Sequence, residues 1–279
     1  MPNTALISLL SLAAAVSWGA ADFSGGLASK KSNVYGVVLV AHAVGLVFNL
    51  VVAFAWRDPW PGAVSMMWGV AAGLVGAVGL MSLYRALAIG TMGINAPVAA
   101  VVTGILPVAF TFVTLGLPTR LQLGGFSLAL IAIGLIAMPS GELGRPKGLG
   151  LAVLAGVGFS GFLVCIKLAG TVAKFWPLVG ARAASLAFMV ILVGGMRVEW
   201  KSLGANWRAM VFCGIFDSLG NILFVYAASR GRLDIAAVLS SLYPASTLIL
   251  ARMILKERIG KVPALGIGLA LASVAMIAA

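Results

Sequence analysis

Asp217 stands near the middle of a long apolar run, and Asn221 follows four residues later, one helical turn on along the same face. A bare carboxylate at such a position costs at least about 2.5 kcal/mol in a bilayer unless it meets water or a partner. Arg182 and His42 occupy comparable depths in two other apolar runs. Two kinds of chemistry fit these residues. Asp217 or His42 lines a polar cavity, where it binds a charged solute or carries a proton. Alternatively, Asp217 and Arg182 form an ion pair that holds neighbouring helices together. For His42, with no carboxylate visible beside it, packing is the first reading.

Trp18, Tyr84, Tyr226 and Tyr243 lie inside or just inside apolar runs, and Asn95 opens another. Rings with a polar tip suit a cavity for an amphipathic solute, and these five join His42, Asp217 and Asn221 as candidate cavity residues. Pro97, Pro107 and Pro244 each remove a backbone donor and bend a helix, so with Arg182 they form the candidate structural or coupling set. No catalytic motif is present: there is no phosphate-binding Gly-rich loop ending in Lys, no His-Glu-x-x-His and no nucleophile elbow. With one histidine and two cysteines, Cys165 and Cys213, both within apolar runs, neither a disulfide framework nor a metal centre is expected. No cofactor and no enzymatic activity are expected either.

The elements that must position these residues are membrane spans. Hydrophobic residues make up 62% of the 279, charged residues 9%, and mean hydropathy is +1.11; an ordinary soluble domain carries about 25% charged residues. The 35 glycines suit helices packed closely in lipid. The net charge of +12 is scattered in ones and twos between apolar runs, which is how topology-setting loop charges are distributed; nucleic acid is not an expected partner. The expected class is an all-α polytopic membrane protein whose partners are the lipid bilayer and a small-molecule substrate, as a monomer.

A span needs about 20 apolar residues. Breaks at charges, prolines and polar clusters predict ten spans: 7–28, 34–56, 64–88, 95–116, 121–139, 148–169, 175–196, 209–228, 234–254 and 262–278. Trp56, Trp60, Trp68, Trp176, Trp200 and Trp207 fall near span ends, where indoles prefer to sit. Met1 to Thr4 lack Lys or Arg, so the first run reads as a retained span rather than a cleaved leader. A shift of 141 residues lays Ile7–Ala28 over Gly148–Ala169 and Leu121–Met138 over Val262–Ala279. This predicts two repeats of five spans, residues 1–140 and 141–279. An odd number of spans per repeat inverts the second copy, an architecture of many secondary transporters. Pro107 and Pro244 fall in corresponding spans if a short gap is allowed, and matching kinks there would let the two helices hinge alternately. Gly69, Gly73, Gly76 and Gly79 give the third span a small-residue face.

Twelve basic residues follow odd-numbered spans (Lys30, Lys31, Arg85, Arg145, Lys147, Arg197, Lys201, Arg208, Arg252, Lys256, Arg258 and Lys261). Six follow even-numbered ones (Arg57, Arg120, Lys167, Lys174, Arg230 and Arg232). This excess favours cytoplasmic odd loops and external termini.

Three stretches are similar to those of the drug/metabolite transporter superfamily, EamA type. They are Ser17-Trp18-Gly19-Ala20-Ala21-Asp22-Phe23, Tyr84-Arg85-Ala86-Leu87-Ala88-Ile89-Gly90, and the segment from Tyr243-Pro244 through Leu255-Lys256-Glu257-Arg258 into a Gly-rich last helix. The likeness spans the whole chain and is greatest to bacterial exporters of the YddG type. It implies a basket of helices around a central cavity in the bacterial inner membrane, exporting aromatic and other amino acids, with both termini in the cytoplasm. Leu117-Pro118-Thr119-Arg120 departs from the pattern, standing where the second half has its Lys-Glu-Arg turn. The leading expectation is a secondary transporter of amino acids working by alternating access. Export of other drugs or metabolites is the alternative within the same fold, and a non-transporting membrane scaffold or assembly subunit is the alternative of another class.

Overall fold

The computed structural model describes residues 4–90, 92–136, 138, 147–170, 173–195, 204–254 and 260–278. Every regular element among them is a helix. The helices are α1 (Thr4–Ser29), α2 (Val34–Ala55), α3 (Ala63–Ile89), α4 (Met92–Leu115), α5 (Arg120–Ile136), α6 (Leu149–Leu168), α7 (Trp176–Gly194), α8 (Trp207–Arg230), α9 (Leu233–Ser240), α10 (Tyr243–Ile254) and α11 (Lys261–Ala278). Eight apolar segments among the described residues have the length and composition to cross a bilayer, counting Leu233–Leu250 across the α9–α10 junction. Arg120–Leu135 and Ala264–Ile277 are shorter apolar helices. The chain is a multi-pass, all-helical membrane protein. The boundary expected between residues 140 and 141, together with Trp200, Arg145, Arg197, Lys201, Lys256 and Arg258, lies outside the described residues.

Local chemistry explains where several helices begin and end. The Asn33 side chain caps α2 by accepting from the N–H groups of Tyr35 (3.0 Å) and Gly36 (3.4 Å). Thr119 and Gln122 bond reciprocally, side chain to backbone, at 3.2 Å in both directions. This is a capping box, and it accounts for the departure at Leu117–Arg120: that stretch starts α5. Gly116 ends α4 with φ at 78°, a left-handed conformation that a side chain would strain.

α1 packs along α8, α3 along α6, and α5 along α11; α3 and α8 also meet α7 and α2 respectively, α2 meets α7, and α4 lies against α6. Without a hydrophobic force between helices in lipid, close contact rests on small residues. The glycine face expected on α3 serves this purpose. A Cβ on Gly73 would overlap the backbone of Ala181 in α7, one on Gly69 would meet the backbone of Pro177, and Gly79 lies against Gly158 and Phe159 of α6.

The ninth span is not the single helix expected over 234–254. It breaks at Ser241–Leu242 into α9 and α10. Pro244 has no N–H to bond back to Ser240, and its ring excludes the carbonyl four residues before it. Leu242 turns tightly onto the Leu239 carbonyl (3.3 Å) and Ala245 onto the Leu242 carbonyl (3.0 Å), and the proline then sits in the first turn of α10, where no donor is missed. Pro97 and Pro107, by contrast, lie within the continuous helix α4. Pro107 frees the Thr103 carbonyl, and Ser160 of α6 supplies the lost donor, its hydroxyl reaching the carbonyls of Val102 (2.9 Å) and Thr103 (3.1 Å). Matching kinks in the two halves are therefore not what the structure has: one helix is repaired from outside and the other is broken.

Hydrogen bonds between loops define the two ends of the bundle. At one end the Asp58 carboxylate accepts the N–H groups of Lys174 (3.1 Å), Phe175 (2.8 Å) and Trp176 (3.2 Å), closing the start of α7. The Trp176 indole donates to the Asp58 carbonyl (2.9 Å), and Trp60 stands edge-on to it. Lys167 reaches from the last turn of α6 to the carbonyls of Ala228 (2.5 Å) and Gly231 (3.3 Å) beyond the end of α8. Arg232 pairs with Asp234 (2.8 Å) and donates to the Gly116 carbonyl (3.1 Å). At the other end Asn206 bonds Ser32, and Arg85 donates to the Tyr35 hydroxyl (2.7 Å). Arg85, Arg252 and Lys167 fall within α3, α10 and α6, so they are helix residues rather than loop charges. Setting them aside leaves the two-to-one excess after odd-numbered spans unchanged.

Candidate functional site

A cavity of about 70 Å³, counted as room for the centres of water-sized spheres, lies among α1, α2, α3, α4, α6, α7, α8 and α10. At 10–15 Å³ for each water by that measure, it holds about five waters. It is smaller than the 300–1,000 Å³ of typical ligand pockets.

Each wall follows from local sequence. α7 brings in Arg182 and α8 brings in Asp217, and the guanidinium Nη2 meets the Asp217 carboxylate Oδ2 in an ion pair. Their side chains are 9% and 17% exposed, so the pair is partly desolvated and its geometry counts for more than it would in water. Glycine makes room for the arginine: a Cβ on Gly45 of α2 would press on its side chain and on Ser218. One turn beyond Asp217, the Asn221 side-chain oxygen accepts the indole N–H of Trp18 at 3.1 Å, with the Trp18 ring lying over Gly220 and tilted 5.7 Å from Phe224. This joins α1 to α8 across the cavity wall.

Asp217 and Arg182 form an ion pair, and both also line the cavity. His42 lines it too; the residue is buried and its Nδ1 has no hydrogen-bond partner. Tyr243 contributes to the wall, its hydroxyl donating to the Ala96 carbonyl (3.4 Å).

Three expected cavity residues sit elsewhere. Tyr84 is fully buried between helices, with its hydroxyl 3.0 Å from Cys213 Sγ and its ring against Gly25; the small Gly25 lets α1 close over it. Asn95 spends its amide on the carbonyls of Ala86 (2.8 Å) and Lys147 (3.0 Å), tying the end of α3 to the approach to α6. Tyr226 lies near the Asp58 end, against Phe175 and beneath the Lys174 ammonium at 4.6 Å from the ring centre. Of the prolines, Pro107 and Pro244 act on the backbone as described above, and Pro97 is buried within α4.

Sequence reasoning passed over Asp22, which stands inside the first similar stretch without a visible partner. It is 7% exposed, lines the cavity and makes no hydrogen bond to any described residue. The signal was present: a second carboxylate in a long apolar run, one helical turn beyond Trp18. Phe159 and Phe162 of α6 and Thr103 of α4 complete the wall and were likewise not anticipated. Their types are common in apolar helices, and only packing turns them inward.

Residues 146–279 match the family model described as "EamA-like transporter family". A protein of known crystal structure is 19% identical, with the alignment covering 97% of this chain and 95% of that one at a TM-score of 0.75; the fold is thus shared over nearly the whole length. No curated protein matches the sequence.

Proposed function

We propose that this chain is a secondary transporter of the drug/metabolite superfamily, EamA type, in the bacterial inner membrane. It exports small metabolites by alternating access, amino acids including aromatic ones foremost, as exporters of the YddG type do. The observation that carries the reading is the cavity with the Arg182–Asp217 pair at its wall, placed between helices of both halves of the chain. A scaffold or assembly subunit has no need of a buried ion pair facing an internal void. The match of the second half to a transporter family supports the same reading.

Two inverted repeats of five spans, residues 1–140 and 141–279, belong to this proposal. Their support is the pattern of neighbours, with α9 and α10 together standing for the fourth span of the second half. Exchanging the halves turns the α1–α8 contact into α6–α3, the α3–α7 contact into α8–α2, and the α4–α6 contact into that of α9 and α10 with α1. The α2–α7 and α5–α11 contacts map onto themselves. Such symmetry lets one packing of the halves be swapped for its mirror, opening the cavity to the opposite side. A solute as large as an amino acid needs more room than the cavity has in this structure, so the reading requires it to widen during the cycle.

Purified protein in liposomes loaded with labelled amino acids is expected to give saturable flux, and an absence of flux with every amino acid sinks the substrate claim. Cysteines at positions 217 and 221 are expected to react with a membrane-impermeant thiol reagent. Silence at both positions, in protein shown to be folded, favours the scaffold.

A further inference from the structure

We infer that the cavity is an ammonium site, in which the protonated amine of the solute sits between Asp22 and Asp217 and its apolar body lies against Trp18, Phe159 and Phe162. The inference rests on the transport reading and names the part of the solute that the protein recognises.

Charge balance is the first ground. The cavity wall carries two carboxylates, Asp22 and Asp217, and one guanidinium, Arg182. Arg182 is already committed to Asp217, which leaves the Asp22 carboxyl without a Lys or Arg counterpart among the lining residues. Both carboxyl groups line the same cavity, so a cation there is attracted by both.

The second ground is that the Trp18 and Tyr243 donors at the cavity wall are committed to other acceptors. Tyr243 lines the same cavity, and the Tyr84 ring lies against Gly25, three residues after Asp22. The Tyr84 hydroxyl is engaged with Cys213, and the Tyr243 hydroxyl donates to the Ala96 carbonyl. The Trp18 indole N–H donates to Asn221. Asp22 is thus a buried acceptor that nothing among the described residues satisfies, and a buried charge without a partner is costly. A primary ammonium supplies both N–H groups and a positive charge.

The wall also selects the kind of cation. A bare divalent metal seeks six or more oxygen ligands, whereas here one carboxylate is shared with Arg182 and the Asn221 oxygen is shared with an indole. The aromatic rings of Trp18, Phe159, Phe162 and Tyr243 stand among the lining residues, and their faces attract organic cations. A primary ammonium, with three N–H donors and an apolar tail, matches both features. A solute with a carboxylate and no amine meets the unpaired Asp22 and is repelled.

Three solutes built on one phenyl ring test this by calorimetric titration into the purified protein in detergent: phenethylamine, L-phenylalanine and 3-phenylpropionate. The first two are expected to bind and the third not to. Asp22→Asn is expected to weaken phenethylamine binding by at least about tenfold, the scale of one charge-assisted contact. Asp22→Glu restores most of it, and thermal unfolding shows whether both variants are folded. Binding of 3-phenylpropionate as tight as that of the amine overturns the inference. So does an Asp22→Asn variant that binds the amine unchanged, which means that a proton alone neutralises this carboxylate. Failure here is separable from failure of the transport reading. Amino-acid flux in liposomes without amine binding retires the ammonium site alone; amine binding without amino-acid flux retires the proposed substrate and keeps the site.

Discussion

Asp58 and Asp22 are the same residue under opposite treatment. At the loop end, Asp58 accepts three backbone N–H groups, its carbonyl takes an indole, and the surrounding tryptophans close over the start of α7. In the middle of the bundle, Asp22 is buried beside a cavity and accepts no hydrogen bond from any described residue. Asp217 stands between the two cases, paired with Arg182 yet facing the same cavity. In a chain this apolar, each polar group inside the bundle must have a reason. Where partners surround it, as at Asp58 and Lys167, the reason is architecture. Where no hydrogen-bond partner is found among the described residues, as at Asp22 and His42 Nδ1, the group lines the cavity.

The contrast can be broken most severely at the ion pair. Arg182→Met leaves Asp217 charged and alone, and a loss of about 3–5 kcal/mol is expected, read as a large fall in melting temperature in detergent. Adding Asp217→Leu to that variant should recover most of the stability while liposome flux stays lost. A double variant no more stable than Arg182→Met means that the pair does not join the helices.

Asp58→Ala comes next. It removes an acceptor from three N–H groups at once, for an expected cost of about 1–2 kcal/mol, with flux retained in whatever protein remains folded. Loss of flux at unchanged stability would place Asp58 in the transport cycle and erase the contrast. Lys167→Met exposes the α8 carbonyls and should cost about 1 kcal/mol, measured in the same way.

The smallest effect on stability is expected at Asp22. Asp22→Asn removes a charge that no protein group satisfies, so the melting point should shift by no more than the equivalent of about 0.5 kcal/mol or rise. A fall as large as that of Asp58→Ala would show that Asp22 has a protein partner after all.

Much of this was legible from residue types alone. Apolar runs interrupted by single charges announce spans, and nine of the ten predicted runs each carry one helix, with ends shifted by a few residues. The exception, 234–254, contains the reason for its own failure in Pro244, but Pro107 carries the same chemical signal inside an unbroken helix. The difference is Ser160, 53 residues further along the chain, and no local rule points to it. The site divides in the same way. Asp217, Asn221, Arg182, His42, Trp18 and Tyr243 were visible because polar or amphipathic groups are conspicuous in apolar runs. Tyr84, Asn95 and Tyr226 looked no different, yet each is absorbed by a neighbour from another helix.

By itself the sequence determined the class, the apolar helical runs and the short set of residues that violate the apolar rule, because bilayer insertion is governed by the transfer of one segment at a time. The tertiary structure alone decided which violations are satisfied. Satisfaction depends on what faces a residue across a helix pair, and that is set by where glycines such as Gly73 and Gly220 let the backbones approach. Asp22 and Asp58 are indistinguishable as letters; one has three N–H groups pointing at it and the other faces a void.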